Sequence, residues 1–301
     1  MNELNYAKVY SDALAQAFPY ALNFGALYAT PNNGRYRISG GKTVEIPVIT
    51  TTGRVSASRD TISDAERNYE NTWESKVLSN QRKWSTLIHP QDVDQTNYAA
   101  TINNITSVFN NEHKFPEMDA YTVSKLYSDW TGLNKTPLRT ELTAENILST
   151  FDDLMAEMTE KRIPVCGRIL YVTPSVMKLL KSSSAVSRSL DVSSSGGCEI
   201  NRAVTLLDGV TVVEVPASLM KTAYSFTSGW TPSSTAEQIH MLLVHPEAVI
   251  TPVSYEFACL DEPSATTGGK YVYYEESFED VFILNSRADG LCFVLEPEAK
   301  G

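Results

Sequence analysis

The stretch "KTVEIPVIT", residues 42–50, constrains the fold more than any other. Val44, Ile46 and Val48 alternate onto one face, which predicts a half-buried strand. Pro47 sits inside the alternation and has no N–H for a ladder, which places the strand at an edge. A second extended segment, "KVLSNQRKWSTLI" from Lys76 to Ile88, follows about thirty residues later, and the two are expected to pair as one long hairpin. At roughly 3.3 Å per residue, a fifteen-residue arm of this kind reaches about 50 Å. An isolated two-stranded ribbon is marginal in water. The surrounding sequence is rich in Thr, Ser and Arg and offers little apolar surface, so the ribbon requires a support that the neighbouring chain does not supply.

A second question comes from "NEHKFPEMDAY", residues 111–121, which gathers Glu112, His113, Glu117 and Asp119. Upstream, Tyr98, Ile102, Ile105 and Phe109 recur at steps of four, three and four, one apolar stripe on a helix of about seventeen residues and 25 Å that Asp94 or Thr96 can cap. Pro116 is expected to end that helix and open a second, whose apolar face holds Met118, Tyr121, Leu126 and Tyr127. On this reading Glu112 and His113 close one helix and Glu117 and Asp119 open the next, so the four do not share a face. Neither the two-His helical spacing of a zinc site nor a third ligand is present.

Further along, Thr143 is expected to cap a helix with Ile147, Phe151, Leu154, Met155 and Met158 facing inward. "RILYVTPSVMKLLKSS" reads as a buried strand, a Thr173 cap with Pro174 at the first helical position, and a short helix. Helix, strand and helix in this order suggest an α/β layer. Residues 182–202 form a Ser- and Gly-rich run expected to be a mobile loop, and "VTLLDGVTVVEV" a hairpin turning at Asp208-Gly209. The last sixty residues are mostly strand candidates, with a further hairpin turn expected at Asp289-Gly290 and a flexible connection at "SATTGGK".

The 301 residues, 42% of them hydrophobic, suffice for a substantial core. No stretch of eighteen apolar residues and no signal-peptide pattern occurs, so the expected compartment is a cytoplasm, without a membrane partner. Cys166, Cys198, Cys259 and Cys292 lie more than thirty residues apart, which fits neither a disulfide framework nor a zinc site, and they read as buried, reduced thiols. A net charge of −11 argues against a sequence reader of nucleic acid. The charge is uneven. Residues 1–59 carry six bases against three acids, and from Glu214 onward thirteen acids face four bases. One expectation from that split is that the basic front of one subunit meets the acidic back of another; ordinary surface variation is the other.

Catalytic signatures are weak. "GGKT" at Gly40–Thr43 ends like a phosphate-binding loop, but Tyr36 occupies the position of the required first glycine, and Tyr271 replaces the magnesium-binding hydroxyl in "TGGKYV". His240 and His245, five apart on a strand, point to opposite faces. No serine elbow, catalytic-cysteine context or dinucleotide fingerprint occurs, and no cofactor or metal is implied. A pair of catalytic carboxylates among thirty-six acids stays possible from sequence. Tyr69, Trp73 and Trp84 cluster in the ribbon region and read either as anchors between subunits or as a small local cluster. Together with the basic Arg35, Arg37, Lys42, Arg54 and Arg59 they form the candidate subunit interface.

The order of these parts, with "RKWSTLIHPQDVDQT" leading into the striped helix, then "FPEMDAYTVSKLY" and "RIPVCGRILYVTPSVMKLL", resembles the major capsid proteins of tailed bacteriophages, whose shell fold encapsulins share. The element order matches over nearly the whole chain, and the motifs concentrate in residues 82–127 and 160–180. The resemblance implies an N-terminal arm (1–34), an extended loop lying over a neighbouring subunit (35–93), a spine helix with the first part of a peripheral domain (94–139), an axial domain (140–248), a second peripheral part (249–285) and a C-terminal strand and tail (286–301). It implies hexamers and pentamers of the chain, the Ser-rich loop near their axis, a portal protein, and double-stranded DNA held without sequence specificity, with a decoration protein as an optional partner. Because the chain starts with its arm, the resemblance also implies a separate scaffolding protein, or a cleavage made before residue 1. Some members crosslink a Lys to an Asn between subunits, for which Lys42 and Asn285 are the pair to consider. An encapsulin-like shell around an enzyme cargo, and a cytoplasmic α+β hydrolase, are the alternatives.

Overall fold

A computed structural model describes residues 20–54, 56, 67–95, 101–183, 190–192, 198–200 and 204–297. Its centre is a mixed six-stranded sheet in the order β5 (Leu138–Arg139), β18 (Leu291–Leu295), β13 (Ile239–Val244), β6 (Ile169–Val172), β10 (Val210–Glu214), β9 (Leu206–Leu207). The middle strands are apolar at nearly every position because both of their faces are covered. Tyr171, Leu242 and Phe293 lie in register and point to one face, toward Ala120, Val123, Leu126 and Trp130. Leu170, Leu243 and Cys292, one step along, point to the other face, toward Ile147, Phe151, Leu154, Met158, Val176 and Leu180.

Those second-face residues belong to helices α5 (Ile147–Glu160) and α6 (Pro174–Ser182), the latter entered through Thr173 and Pro174 as its sequence dictates. Before α5, Thr143 Oγ1 accepts from the Asn146 N–H, and Asn146 is the capping residue. The Asp208-Gly209 turn joins β9 to β10 with both residues at positive φ, 48° and 80°, as a two-residue turn of this twist demands. A short pair, β7 (Leu190–Val192) and β8 (Cys198–Ile200), lies in the Ser-rich run, whose first residue, Ser182, still belongs to α6; the mobile-loop expectation otherwise falls on residues 184–189, 193–197 and 201–202, outside the described residues.

The first face is covered by one continuous helical path: α3 (Ile102–Phe109), a π turn (Asn110–Lys114) and α4 (Phe115–Gly132). Pro116 therefore does not end the helix, contrary to the expectation from sequence. The π turn gives the physical reason. A proline ring collides with the carbonyl four residues back and cannot bond it; here the ladder is widened, with the Phe115 N–H bonding the Asn110 carbonyl five residues earlier. The start lies later than expected: Asp94 is within the short helix α2 (Pro90–Gln95), and α3 starts after Thr101. Thr96 and Tyr98 fall outside the described residues.

Two further three-stranded sheets complete the fold. In one, β15 (Val253–Asp261), β16 (Tyr271–Glu279) and β4 (Gln81–Ile88) pair antiparallel. In the other, β2 (Thr43–Thr51) pairs with β3 (Tyr69–Val77) from Thr43↔Val77 to Thr51↔Tyr69, and β1 (Arg37–Ser39) covers only Thr43–Glu45. The second strand of the ribbon is thus Tyr69–Val77 and not Lys76–Ile88, which breaks at Leu78–Asn80 and sends β4 into the other sheet. Asp280 fixes that break by accepting from the Ser79 N–H and Oγ–H, while Leu78 is buried. Pro47 meets its expected setting locally: β1 ends opposite Glu45, so the edge of β2 is open at Pro47.

Two other expectations change. No hairpin turns at Asp289-Gly290; residues Asn285–Gly290 form a 3-10 turn, β18 pairs with β13 and β5, and β17 (Phe282–Ile283) pairs with β14 (Val249–Ile250). Gly290 is required for a different reason, since a Cβ there would stand 2.7 Å from the Ala248 Cβ. Of the three cysteines whose side chains are described, Cys292 is buried, and burial pushes its thiol up to about 12; Cys166 is exposed and Cys259 half-exposed. A small pair, β11 (Tyr224–Ser225) with β12 (Thr231–Pro232), sits near α4.

Residues 20–34 bind the body instead of hanging from it. After the helical turn α1 (Gly25–Tyr28), Pro31–Gly34 forms the 3-10 turn that "TPNNGRY" signals. The Asn32 side-chain amide donates to the carbonyls of Glu247 and Val249.

Candidate interaction surface

The four residues of "NEHKFPEMDAY" do not converge. Asp119, fully buried in α4, accepts from Tyr20 Oη–H, the Asn23 N–H and amide, and the Phe24 N–H. Burial raises its carboxyl above the ordinary carboxylate range despite these donors. Glu117 pairs with Arg82 at 2.6 Å, and Glu112 and His113 are exposed. Each carboxylate is thus committed to a structural partner or to solvent. Among the described residues no cluster of three or more His, Cys, Asp or Glu is placed to hold a metal ion. His240 lies 3.1 Å from Glu296, and His245 bonds the Cys166 carbonyl and the Glu247 N–H, on separate paths. No helix of the described residues is long and apolar enough to cross a membrane.

The ribbon is where the chain leaves surface uncovered. At its root Val44 and Ile46 are buried with Leu78 against Ile250, Phe278, Phe282 and Leu284. Beyond Ile46 that support stops. On one face Val48 is half-buried while Thr50, Thr72 and Glu70 are exposed. On the other face Pro47 is paired with Trp73, Ile49 with Asn71 and Thr51 with Tyr69. Ile49 is 66% exposed, Tyr69 55% and Trp73 46%. Arg37 lies 4.4 Å above the Trp73 ring while bonding Glu45, and Arg67 lies 4.8 Å above Tyr69. Large side chains in two rows, capped by guanidinium groups and uncovered by the rest of the described chain, form the kind of surface that a partner buries.

Of the other candidate interface residues, Arg35, Lys42 and Arg54 are exposed, Arg35 reaching Asn32 Oδ1, while Arg59 lies outside the described residues. Trp84 is not on the ribbon. It stands on β4, half-buried, with its ring stacked on Phe109 at 3.9 Å and 8°. Of the helical stripe, Ile102, Ile105 and Phe109 are all half-buried, with Phe109 held by that stack. Asn285 accepts from Lys76 Nζ at 2.8 Å within the chain, with Glu74 bonding both; Lys42 is on the exposed turn before β2. Sequence reasoning missed Asp119 and Asp280 as clamps, because each draws its partners from segments more than ninety residues distant.

No family model matches the sequence, and no curated protein matches it. Solved structures do. The mature capsid of bacteriophage PhiM1 is similar with a TM-score of 0.66 at 14% identity, over 97% of this chain and 92% of that chain. The capsid of the cyanophage P-SCSP1u gives 0.63 at 12% identity over 97% and 93%. The head structure of Helicobacter pylori bacteriophage KHP40 gives 0.61 at 11% identity over 99% and 98%. At 11 to 14% identity the likeness is one of fold. The chain has the α+β fold of tailed-phage major capsid proteins.

Proposed function

We propose that the chain is a shell subunit: copies of it associate, as hexamers and pentamers, into a closed icosahedral capsid around double-stranded phage DNA. The observation that carries this is the distal ribbon, a nine-residue ladder whose outer half is uncovered on both faces by the rest of the described chain. Such a ribbon is marginal alone. A second copy placed under it supplies the missing burial, and because ribbon and seat are different surfaces, the contact is heterologous and can propagate around a ring. The capsid fold of the similar structures supports the same reading. The net charge of −11 suits a wall that keeps packed DNA from adhering, without sequence readout. On this reading the role is structural rather than catalytic, assembly takes place in the host bacterial cytoplasm, and scaffolding, portal and decoration proteins are the further partners.

The test is co-expression of the full chain with its neighbouring scaffold gene, followed by negative-stain microscopy and sedimentation. Closed icosahedral particles are expected. A folded chain that sediments as a monomer under all conditions would overturn the reading, and particles that enclose an enzyme in place of DNA would assign it to the encapsulin class.

A further inference from the structure

Away from the ribbon, the loop after α5 and the 3-10 turn Asn285–Gly290 enclose a cavity of about 330 Å³ that has Lys161, Arg162, Ser286 and Arg287 on its walls. Helix α5 closes with the Arg162 N–H on the Thr159 carbonyl and the Ile163 N–H on the Met158 carbonyl, the pair of bonds that ends a helix through a left-handed residue. That residue is Arg162, at φ 63°, where glycine is the usual occupant. Its side chain and that of Lys161 are exposed, and neither has an ion-pair partner among the described residues. Backbone strain kept at an unpaired cation points to a use for the cation. The loop is held from below by Arg168. This guanidinium is 1% exposed, donates to the carbonyls of Met155, Ile163 and Pro164 and to Thr159 Oγ1, and meets no carboxylate among the described residues. The carbonyls at the negative end of α5 are thereby occupied, and a positive charge lies under Ile163 and Pro164, which line the cavity.

We infer that this cavity is a binding site for a phosphate-type oxyanion, held by Lys161 and Arg162 from one wall and by Arg287 and the Ser286 hydroxyl from the other. Arg287 gives Nη1 to the carbonyl and carboxylate of Glu247, which leaves Nε and Nη2 for a ligand. The two carboxylates on the walls are already committed, Glu247 to Arg287 at 3.0 Å and Asp289 to Lys135 at 2.6 Å, so neither stands free to repel an anion. His245 is engaged at both ring nitrogens, by the Cys166 carbonyl and the Glu247 N–H, and serves as wall. Two guanidinium forks and an ammonium suit the several oxygens of a phosphate group, which accept charge-assisted bonds in parallel. The whole chain carries −11, so cations gathered in a concavity reverse the charge locally and draw anions to this point. The volume falls at the small end of the roughly 300–1,000 Å³ of small-ligand sites, which fits a phosphate group with its waters. A free phosphate compound and the phosphodiester of a nucleic acid share this chemistry, and the site does not depend on the shell-subunit reading.

Heteronuclear NMR of the dispersed full-length chain, titrated with inorganic phosphate and separately with chloride at equal ionic strength, tests the site. Phosphate should shift the backbone amides of residues 161–163 and 286–288 saturably, and chloride should leave them in place. Arg162→Gly should weaken phosphate binding about tenfold while raising the midpoint of thermal unfolding by about 2 °C, since glycine relieves the positive φ. A residue kept for structure alone would not separate those two readouts. Displacement of phosphate by a short DNA duplex at the same amides identifies the nucleic-acid backbone as the source of the group; a duplex without effect identifies a free phosphate compound. Equal shifts with chloride, or an unchanged phosphate affinity in Arg162→Gly, overturn the site. Assembled particles in which a carboxylate-activating reagent joins Lys161 to an acid of a second copy would make the cavity a subunit contact and overturn it as well.

Discussion

Asp119 converts a loose arm into part of the body. Its carboxylate gathers four donors from Tyr20, Asn23 and Phe24, and Phe24 packs on Tyr171 with ring centroids 4.4 Å apart. Asp119→Ala strands the two backbone N–H groups of Asn23 and Phe24, and a loss of about 2–4 kcal/mol is expected in urea unfolding, with faster amide exchange at residues 20–28. A different carboxylate sets a pH dependence. Arg139 binds Glu237 with two hydrogen bonds, 2.7 and 2.8 Å, and holds that carboxyl below its ordinary value of 4.5. A depressed folded pKa means the pair's contribution is complete above pH 4.5 and disappears as the pH falls through the lower folded value. In Arg139→Ala, the Glu237 titration followed by NMR should return toward 4.5, and the acid sensitivity traced to this pair should vanish.

At the scale of elements, what could be read in the sequence was what local chemistry decides. The ribbon strand, the Thr173-Pro174 entry to α6, the buried β6 and β13 and the Asp208-Gly209 turn all follow from periodicity or from turn residues and occur where expected. What failed was decided by distant parts of the chain. The segment Lys76–Ile88 reads as one extended run, yet Asp280, two hundred residues on, pins Ser79 and splits it between two sheets. Pro116 carries the usual signal of a helix end, and only the π turn, which leaves no mark in residue type, lets the helix continue. Gly290 misled in the same way: Asp-Gly favours a turn, but here the glycine makes room for Ala248. Gly290→Ala should therefore cost about 1–3 kcal/mol by overpacking, read as a lowered midpoint of thermal unfolding. If the glycine served turn geometry alone, the packing of Ala248 would be indifferent to it, and shrinking the neighbour in Ala248→Gly would not rescue the variant.

For the whole molecule, a two-faced core sheet, a helical path across one face and a ribbon rooted against Ile250, Phe278, Phe282 and Leu284 divide the labour. The core needs no partner, since Leu242, Leu243, Phe293 and Val294 are fully or almost fully buried within one chain. The ribbon is the opposite case, and the sequence showed this first, through an alternating strand with no apolar backing nearby. Which side chains face outward was hard to read there, because the true partner strand, Tyr69–Val77, carries apolar residues only at every fourth position, Tyr69, Trp73 and Val77. The account therefore stands on the burial of the outer ribbon by another copy. Hydroxyl-radical footprinting of Trp73 and Tyr69, compared between the dispersed chain and assembled particles, measures this directly. Strong labelling in the dispersed chain and marked protection on assembly are predicted; equal labelling of both residues in the two states would contradict the account.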